Sequence, residues 1–342
     1  MHAATNAQAD TAAPLIDVRD LSVEFATPDG IVHAVSGVDL AVAPGEFVGI
    51  VGESGSGKSQ LLLSLLGLNA GNGRVLGSIR YRGRELVGVP ARQLNQIRGD
   101  RISMVFQDPM TSLNPHLTIG RQLTEGLRYH RRSSAADARR RATEMLKAVH
   151  LTEPERRLDQ YPHELSGGMR QRVMIAMALI CEPELILADE PTTALDVTVQ
   201  AQILALLREL RERFGTAVVL VTHDLGVVAE VADRVAVMYG GRIVETGSTE
   251  DLFYRGRHPY TEGLQRSIPR LDESRSERLA TIPGSPPNLL HPPPGCAFAP
   301  RCVYRQARCE QTLPRLQSVA DGHRRACFHE GALGRLTAEV GA

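Results

Sequence analysis

The sequence predicts an α/β fold built on a parallel sheet, with an antiparallel β unit before it, a helical insertion within it and a small loop-rich extension after it. Three observations carry that prediction. A short apolar stretch, Glu46 to Val51, runs into Gly52-Glu53-Ser54-Gly55-Ser56-Gly57-Lys58-Ser59 and then into Leu61 to Leu66, which reads as strand, tight loop and helix. Apolar strands later alternate with helices: helix Met169 to Ile180, strand Leu185 to Ala188, helix Val197 to Phe214, strand Ala217 to Val221, helix Leu225 to Ala232. Strands written as unbroken apolar runs belong to a parallel sheet covered on both faces. Between these two regions, from Leu117 to about Leu165, apolar residues such as Leu123, Leu127, Met145, Leu146 and Val149 fall at helical spacing.

Taken in order, residues 1–13 are Ala-rich, lack a basic start and an apolar core, and are expected to be a disordered lead-in and no secretory signal. Leu15 to Phe25 and Ile31 to Leu40 alternate around Pro28-Asp29-Gly30, an antiparallel pair. Gly77 to Gly83 reads as a further strand pair, and Arg101 to Phe106 as a short strand ending at Gln107. A hairpin from Val235 to Glu245, turning on Gly240-Gly241, closes a main domain expected over residues 14–255, with its helical subdomain at about 115–168. In residues 256–342 prolines at 259, 269, 283, 286, 287 and 292 to 294 break regular structure, so this part reads as a loop-rich appendage.

Length and composition set limits. A chain of 342 residues can bury one large core and a small second unit. Its 39 basic and 39 acidic residues cancel, so no global field recruits nucleic acid or an anionic membrane surface. No apolar run approaches the roughly 20 residues needed to span a bilayer. Five cysteines in a chain read as cytosolic argue against structural disulfides, and four of them lie beyond residue 295.

The glycine-rich run is where chemistry concentrates. Three glycines let the backbone turn with its amides inward, and the new helix adds its positive end, so a triphosphate meets a ring of donors. Lys58 is expected to reach the outer phosphates and the Ser59 hydroxyl to hold Mg²⁺. Apart from Lys147, Lys58 is the only lysine in a chain that otherwise uses arginine, as a compact point charge in a phosphate cradle requires. Asp189 ends the strand from Leu185 and is placed to join the Mg²⁺ shell; Glu190 follows, placed to polarise an attacking water. A glycine turn and an Asp capping the next helix are the plain structural alternatives.

At this point the sequence resembles the ABC-transporter ATPases, over residues 15 to about 255. Leu165-Ser166-Gly167-Gly168-Met169-Arg170-Gln171-Arg172 looks like their signature, Val105-Phe106-Gln107 like their glutamine loop, Ala194-Leu195-Asp196 like the D-loop and Val221-Thr222-His223-Asp224 like the switch histidine. The resemblance implies a P-loop NTPase fold, ATP and Mg²⁺ as ligands, and ATP hydrolysis. It assigns nucleotide contacts to Gly52, Ser54, Gly55, Ser56, Gly57, Lys58, Ser59 and Gln60, adenine stacking to Phe25, and Mg²⁺ to Ser59, Gln107 and Asp189. Catalysis falls to Glu190, His223 and Gln107. Gln60 departs from the small hydroxyl residue of many relatives, which leaves its backbone contact. Ser166 and Gly168 are a second anion site, expected to cover the nucleotide of a second ATPase subunit, a paralogue or a copy of this chain.

The extension, through His258-Pro259-Tyr260-Thr261, Pro283 to Pro287 and Gly295 to Cys302, resembles the di- and oligopeptide importer branch. That likeness implies peptide uptake from the cytoplasmic face of a membrane, with two permease subunits and an extracytoplasmic substrate-binding protein as partners. Cousins serving nickel or glutathione stay open, as does a soluble ATPase acting on nucleic acid or ribosomes, although the fused second ATPase domain, coiled coil or basic arm usual there is missing from the sequence. Cys296, Cys302, Cys309 and Cys327, spaced C-x5-C-x6-C-x17-C, are expected to hold a [4Fe–4S] cluster as the cross-link of a loop-built segment. Structural zinc, with His291, His323 or His329 as substitutes, and four reduced thiols are the rivals. Cys181 is expected to be a packing residue.

Overall fold

The computed structural model describes residues 13–193, 195–267, 282–331 and 333. Of the lead-in expected over residues 1–13, all but the last residue lies outside them, as does Pro269. β1 (Ile16–Thr27) and β2 (Gly30–Val42) pair antiparallel across a Pro28-Asp29 turn. β3 (Phe47–Val51) is buried at all five positions. β4 (Gly73–Tyr81) and β5 (Arg84–Glu85) return to the first pair, giving a four-stranded sheet in the order β2-β1-β4-β5.

The larger sheet adds β6 (Ile102–Val105), β7 (Leu185–Asp189), β8 (Ala217–Thr222), β9 (Arg234–Tyr239), β10 (Arg242–Ser248), β11 (Gln317–Ala320) and β12 (His323–Arg325). Its order is β11-β12-β10-β9-β3-β8-β7-β6. The five strands from β9 to β6 run parallel, and β10, β12 and β11 join antiparallel. β3 lies inside this sheet between β8 and β9, which is why it is apolar throughout. Alternation along it feeds two cores: Phe47 and Val51 pack with the helices, Val48 and Ile50 with the antiparallel sheet.

The insertion is helical, as its spacing predicts. Helices Ile119–His130, Ala135–Ala148 and Pro154–Leu158 fill it, the first two capped by Thr118 and Ser134 hydroxyls that accept the Arg121 and Asp137 amides. Their apolar faces, including Leu123, Leu127, Met145 and Leu146, close on helix Gly167–Leu179 and share its core.

Among the described residues beyond 255, a short strand pair joins the main sheet. β12 lies along β10, with Glu245 opposite Arg325, and extends the main sheet. Glu245 is fully buried, accepts the Arg257 and His258 amides at 2.6 and 2.9 Å, and pairs with His323 Nε2 at 2.7 Å. One buried carboxylate thus staples β10, β12 and the start of helix Pro259–Arg266.

The iron–sulfur expectation is corrected here. Among the described residues no group of three or more His, Cys, Asp or Glu is gathered so as to hold a metal ion. The cross-link inferred from the lack of apolar content is supplied by other means: the Glu245 staple and a packed cluster of Tyr239, Tyr260 and Phe298. Cys181 is buried and packed in the core, as expected of it.

Candidate functional site

Where β3 ends, the loop passes so close to neighbouring backbone that side chains are excluded. A Cβ on Gly52 would collide with the Met238 carbonyl oxygen, and one on Gly57 with that of Ala34. Gly55 and Gly57 also take φ of +78° and +99°, the left-handed region that glycine occupies without penalty. Helix Lys58–Leu65 then begins on Gly57 with no side-chain cap and no acidic residue in its first turn. Its leading amides therefore remain available to an anion, reinforced by the helix dipole.

Lys58 is folded back across this cradle, Nζ donating to the Gly52 and Glu53 carbonyls at 2.7 and 2.9 Å. Burial lowers its pKa, against the opposing pull of the Glu190, Asp189 and Glu53 charges. Ser59 Oγ donates to Asp189 Oδ1 at 3.0 Å, which brings two of the three expected Mg²⁺ ligands together across 130 residues. Asp189 is buried, and the desolvation raises its pKa, helped by the neighbouring Glu190 charge and opposed by Ser59 and Lys58. A hydroxyl and a buried carboxylate are the hard-oxygen donors that a divalent cation fits, and an anion cradle lies beside them.

Glu190 leaves the strand line at φ +44°, a left-handed conformation that costs a non-glycine residue of order 1 kcal/mol. Its amide donates to the Val221 carbonyl at 2.9 Å, which anchors the turn to β8. The carboxylate is thereby aimed at three partners, one in its own loop and two on other segments. Oε2 accepts from Gln107 Nε2 at 3.2 Å and Thr193 Oγ1 at 2.9 Å, and His223 Nδ1 stands 3.5 Å away. Gln107, Glu190 and His223, at the ends of β6, β7 and β8, thus converge from three adjacent strands.

These groups face one cavity of about 820 Å³, lined by residues 53–60, Gln107, Glu190 and His223 together with Ala34, Leu264, Ser267, Ile282 and Leu289. Phe25 is not brought to it: its ring packs beside Gly73 on β4. Ser166 and Gly168 also lie elsewhere. Ser166 is exposed and caps helix Gly167–Leu179, accepting the Met169 amide at 3.4 Å, and Gly168 sits against Val199. Ala194 lies outside the described residues, while Asp196 caps helix Val197–Phe214 by accepting the Val199 amide.

Four residues at the site escaped sequence reasoning. Thr193, close to Glu190 in the same loop, was legible from its hydroxyl alone. Glu53, Tyr260 and Arg301 were not, because the contacts that join them span 207 and 248 residues.

Residues 35–193 match the family described as ABC transporter, and residues 244–309 the oligopeptide/dipeptide transporter, C-terminal region. The chain is 55% identical over 314 residues, 92% of this chain and 93% of the relative, to the oligopeptide transport ATP-binding protein OppD of Salmonella typhimurium. It is 50% identical, over 98% of this chain and all of the relative, to a probable peptide ABC transporter ATP-binding protein of Sinorhizobium fredii. Among solved structures, the ATP-binding cassette MJ0796, a dimer in a post-hydrolysis state with ADP and Pi, superposes with a TM-score of 0.62 at 34% identity, covering 68% of this chain and 98% of that one. The names of these relatives speak of ATP binding and transport, which leaves the iron–sulfur expectation without support from them as well. On the strength of this likeness along nearly its whole length, the chain belongs to the family of ABC-transporter ATP-binding proteins, in the branch that carries the oligopeptide/dipeptide transporter C-terminal region.

Proposed function

We propose that this chain is the ATP-hydrolysing subunit of a peptide importer, working at the cytoplasmic face of a membrane. The observation that carries it is the convergence of Gln107, Glu190 and His223 on a phosphate cradle that also holds the Ser59–Asp189 pair. In this reading the amides of residues 52–57, the Lys58 ammonium and Gln60 bind the phosphates. Ser59, Asp189 and Gln107 hold Mg²⁺, which supplies charge neutralisation at the phosphates. Glu190 accepts the proton of the attacking water, held in place by its contacts with Gln107 and Thr193. His223 orients the γ-phosphate and steadies its developing charge. Residues 14–255 make up the ATPase unit in this reading, and residues 256–342 the extension.

Peptide as cargo is supported by the likeness to peptide transport ATP-binding proteins in both the ATPase part and the extension. The cargo itself is met by partners: two permease subunits, fed by an extracytoplasmic substrate-binding protein. No helix among the described residues is long and apolar enough to cross a membrane. A second ATPase subunit, paralogue or copy, is supported by Ser166 and Gly168 lying away from the cavity of their own chain, and by the dimer of MJ0796.

The test is Glu190→Gln in the transporter reconstituted in lipid vesicles with its permease partners. ATP should still bind with near-normal affinity, while ATP turnover and peptide uptake both fall by about two orders of magnitude or more. Undiminished turnover in that variant would remove Glu190 from its role. Co-purification with ribosomes or nucleic acid in place of permease subunits would overturn the transport reading.

A further inference from the structure

Glu53 is the residue out of character in the phosphate loop. Everything else there gathers positive potential: open amides, a helix N-terminus and Lys58. Glu53 places a carboxylate on the wall of the same cavity, where an uncompensated negative charge repels a polyphosphate. Its compensation comes from 248 residues along the chain. Arg301 grips it in a fork, Nη1 on Oε2 at 2.6 Å and Nη2 on Oε1 at 2.9 Å.

Arg301 is itself rigidly held. Its side chain is only 5% exposed, Nε donates to the Pro283 carbonyl at 2.8 Å, Nη2 to the Ile282 carbonyl at 3.0 Å and Nη1 to Tyr239 Oη at 3.2 Å. The guanidinium lies 5.8 and 5.9 Å from the ring centres of Tyr239 and Phe298. The backbone of Glu53 is pinned too, its amide donating to Tyr260 Oη at 2.7 Å. The extension thus holds one residue of the phosphate loop by both side chain and main chain.

We propose that Arg301 is a positioning residue for nucleotide binding: it cancels the Glu53 charge and fixes that residue, so that the extension forms part of the ATP site. This rests on the ATP reading above. Removing Arg301 leaves Glu53 facing the phosphates unpaired. The penalty then scales with ligand charge, falling hardest on ATP, less on ADP and least on AMP. Removing the Glu53 charge as well abolishes the repulsion, so the double change should recover what the single one lost. A residue that merely supported the fold would weaken all three nucleotides alike.

The experiment is competition by ATP, ADP and AMP against a fluorescent ATP analogue on the full chain with Mg²⁺. Its subjects are wild type, Arg301→Met, Arg301→Lys, Glu53→Gln and Arg301→Met with Glu53→Gln. Expected are an ATP affinity about tenfold weaker for Arg301→Met, a smaller loss for ADP and AMP, and recovery to within about threefold in the double variant. Arg301→Lys, which keeps the charge but loses the fork, should fall between. If Arg301→Met does not fold, Arg301→Lys and the double variant carry the comparison with the same ordering. Wild-type ATP affinity in Arg301→Met, an equal loss for all three nucleotides, or a double variant no better than the single one overturns the proposal alone. A wild-type chain that binds no ATP overturns the functional reading and this proposal with it.

Discussion

At the scale of single residues, the site is governed by what the backbone excludes as much as by what side chains supply. Gly57 combines a left-handed φ with a Cβ position already occupied by the Ala34 carbonyl. Gly57→Ala is therefore expected to cost about 2–4 kcal/mol of stability, from strain and backbone displacement together, and to abolish ATP binding. Urea unfolding with nucleotide titration checks both. A variant of wild-type stability would mean that β2 can retreat from the loop. Glu190 shows the converse, a non-glycine residue kept in a strained conformation because that turn aims its carboxylate at Gln107, Thr193 and His223.

At the scale of elements, the join between β10, β12 and helix Pro259–Arg266 carries a pH dependence. His258 is buried as the cap of that helix, its Nδ1 accepting the Tyr260 amide at 3.1 Å. Burial pulls its pKa down to about 4, with Arg325 acting in the same direction and the Glu245 charge opposing. On unfolding it returns to about 6.5. As pH falls from about 6.5 towards 4 the unfolded chain therefore takes up the proton first, and stability is lost across that window by up to roughly 3 kcal/mol; above 6.5 the contribution is complete. His258→Asn retains a capping acceptor and should flatten this part of the profile. Urea midpoints between pH 4 and 7.5 for the two chains decide it, and parallel curves would sink the assignment.

At the scale of the whole molecule, the extension is continuous with the ATPase core through the sheet edge and through the phosphate loop. A chain cut after residue 255 loses Tyr260, Arg301, β11 and β12, and uncovers the edge of β10. Its thermal midpoint should fall by about 10 °C or more, and it should associate through the bared strand. Scanning calorimetry and light scattering report these two effects. Unaltered melting would show that the extension contributes nothing to the core.

Periodicity and local chemistry by themselves determined the α/β class, the strand and helix order, the helical insertion and the phosphate loop. Each of these is written in contiguous residues: helix Val197–Phe214 has the bounds its pattern predicts, and the loop motif sits between its strand and helix. The adjacency of Ser59 to Asp189, and of Gln107 and His223 to Glu190, was readable only as an expectation from order along parallel strands. Tertiary structure alone decided the rest. Phe25 was turned toward Gly73, the four cysteines were left as half-buried free thiols, and Arg301 was delivered to Glu53. The physical reason is range. Propensity and alternation act over a few residues, whereas which side chain neutralises a loop carboxylate is settled by how distant segments pack, and spacing in the chain carries no record of that.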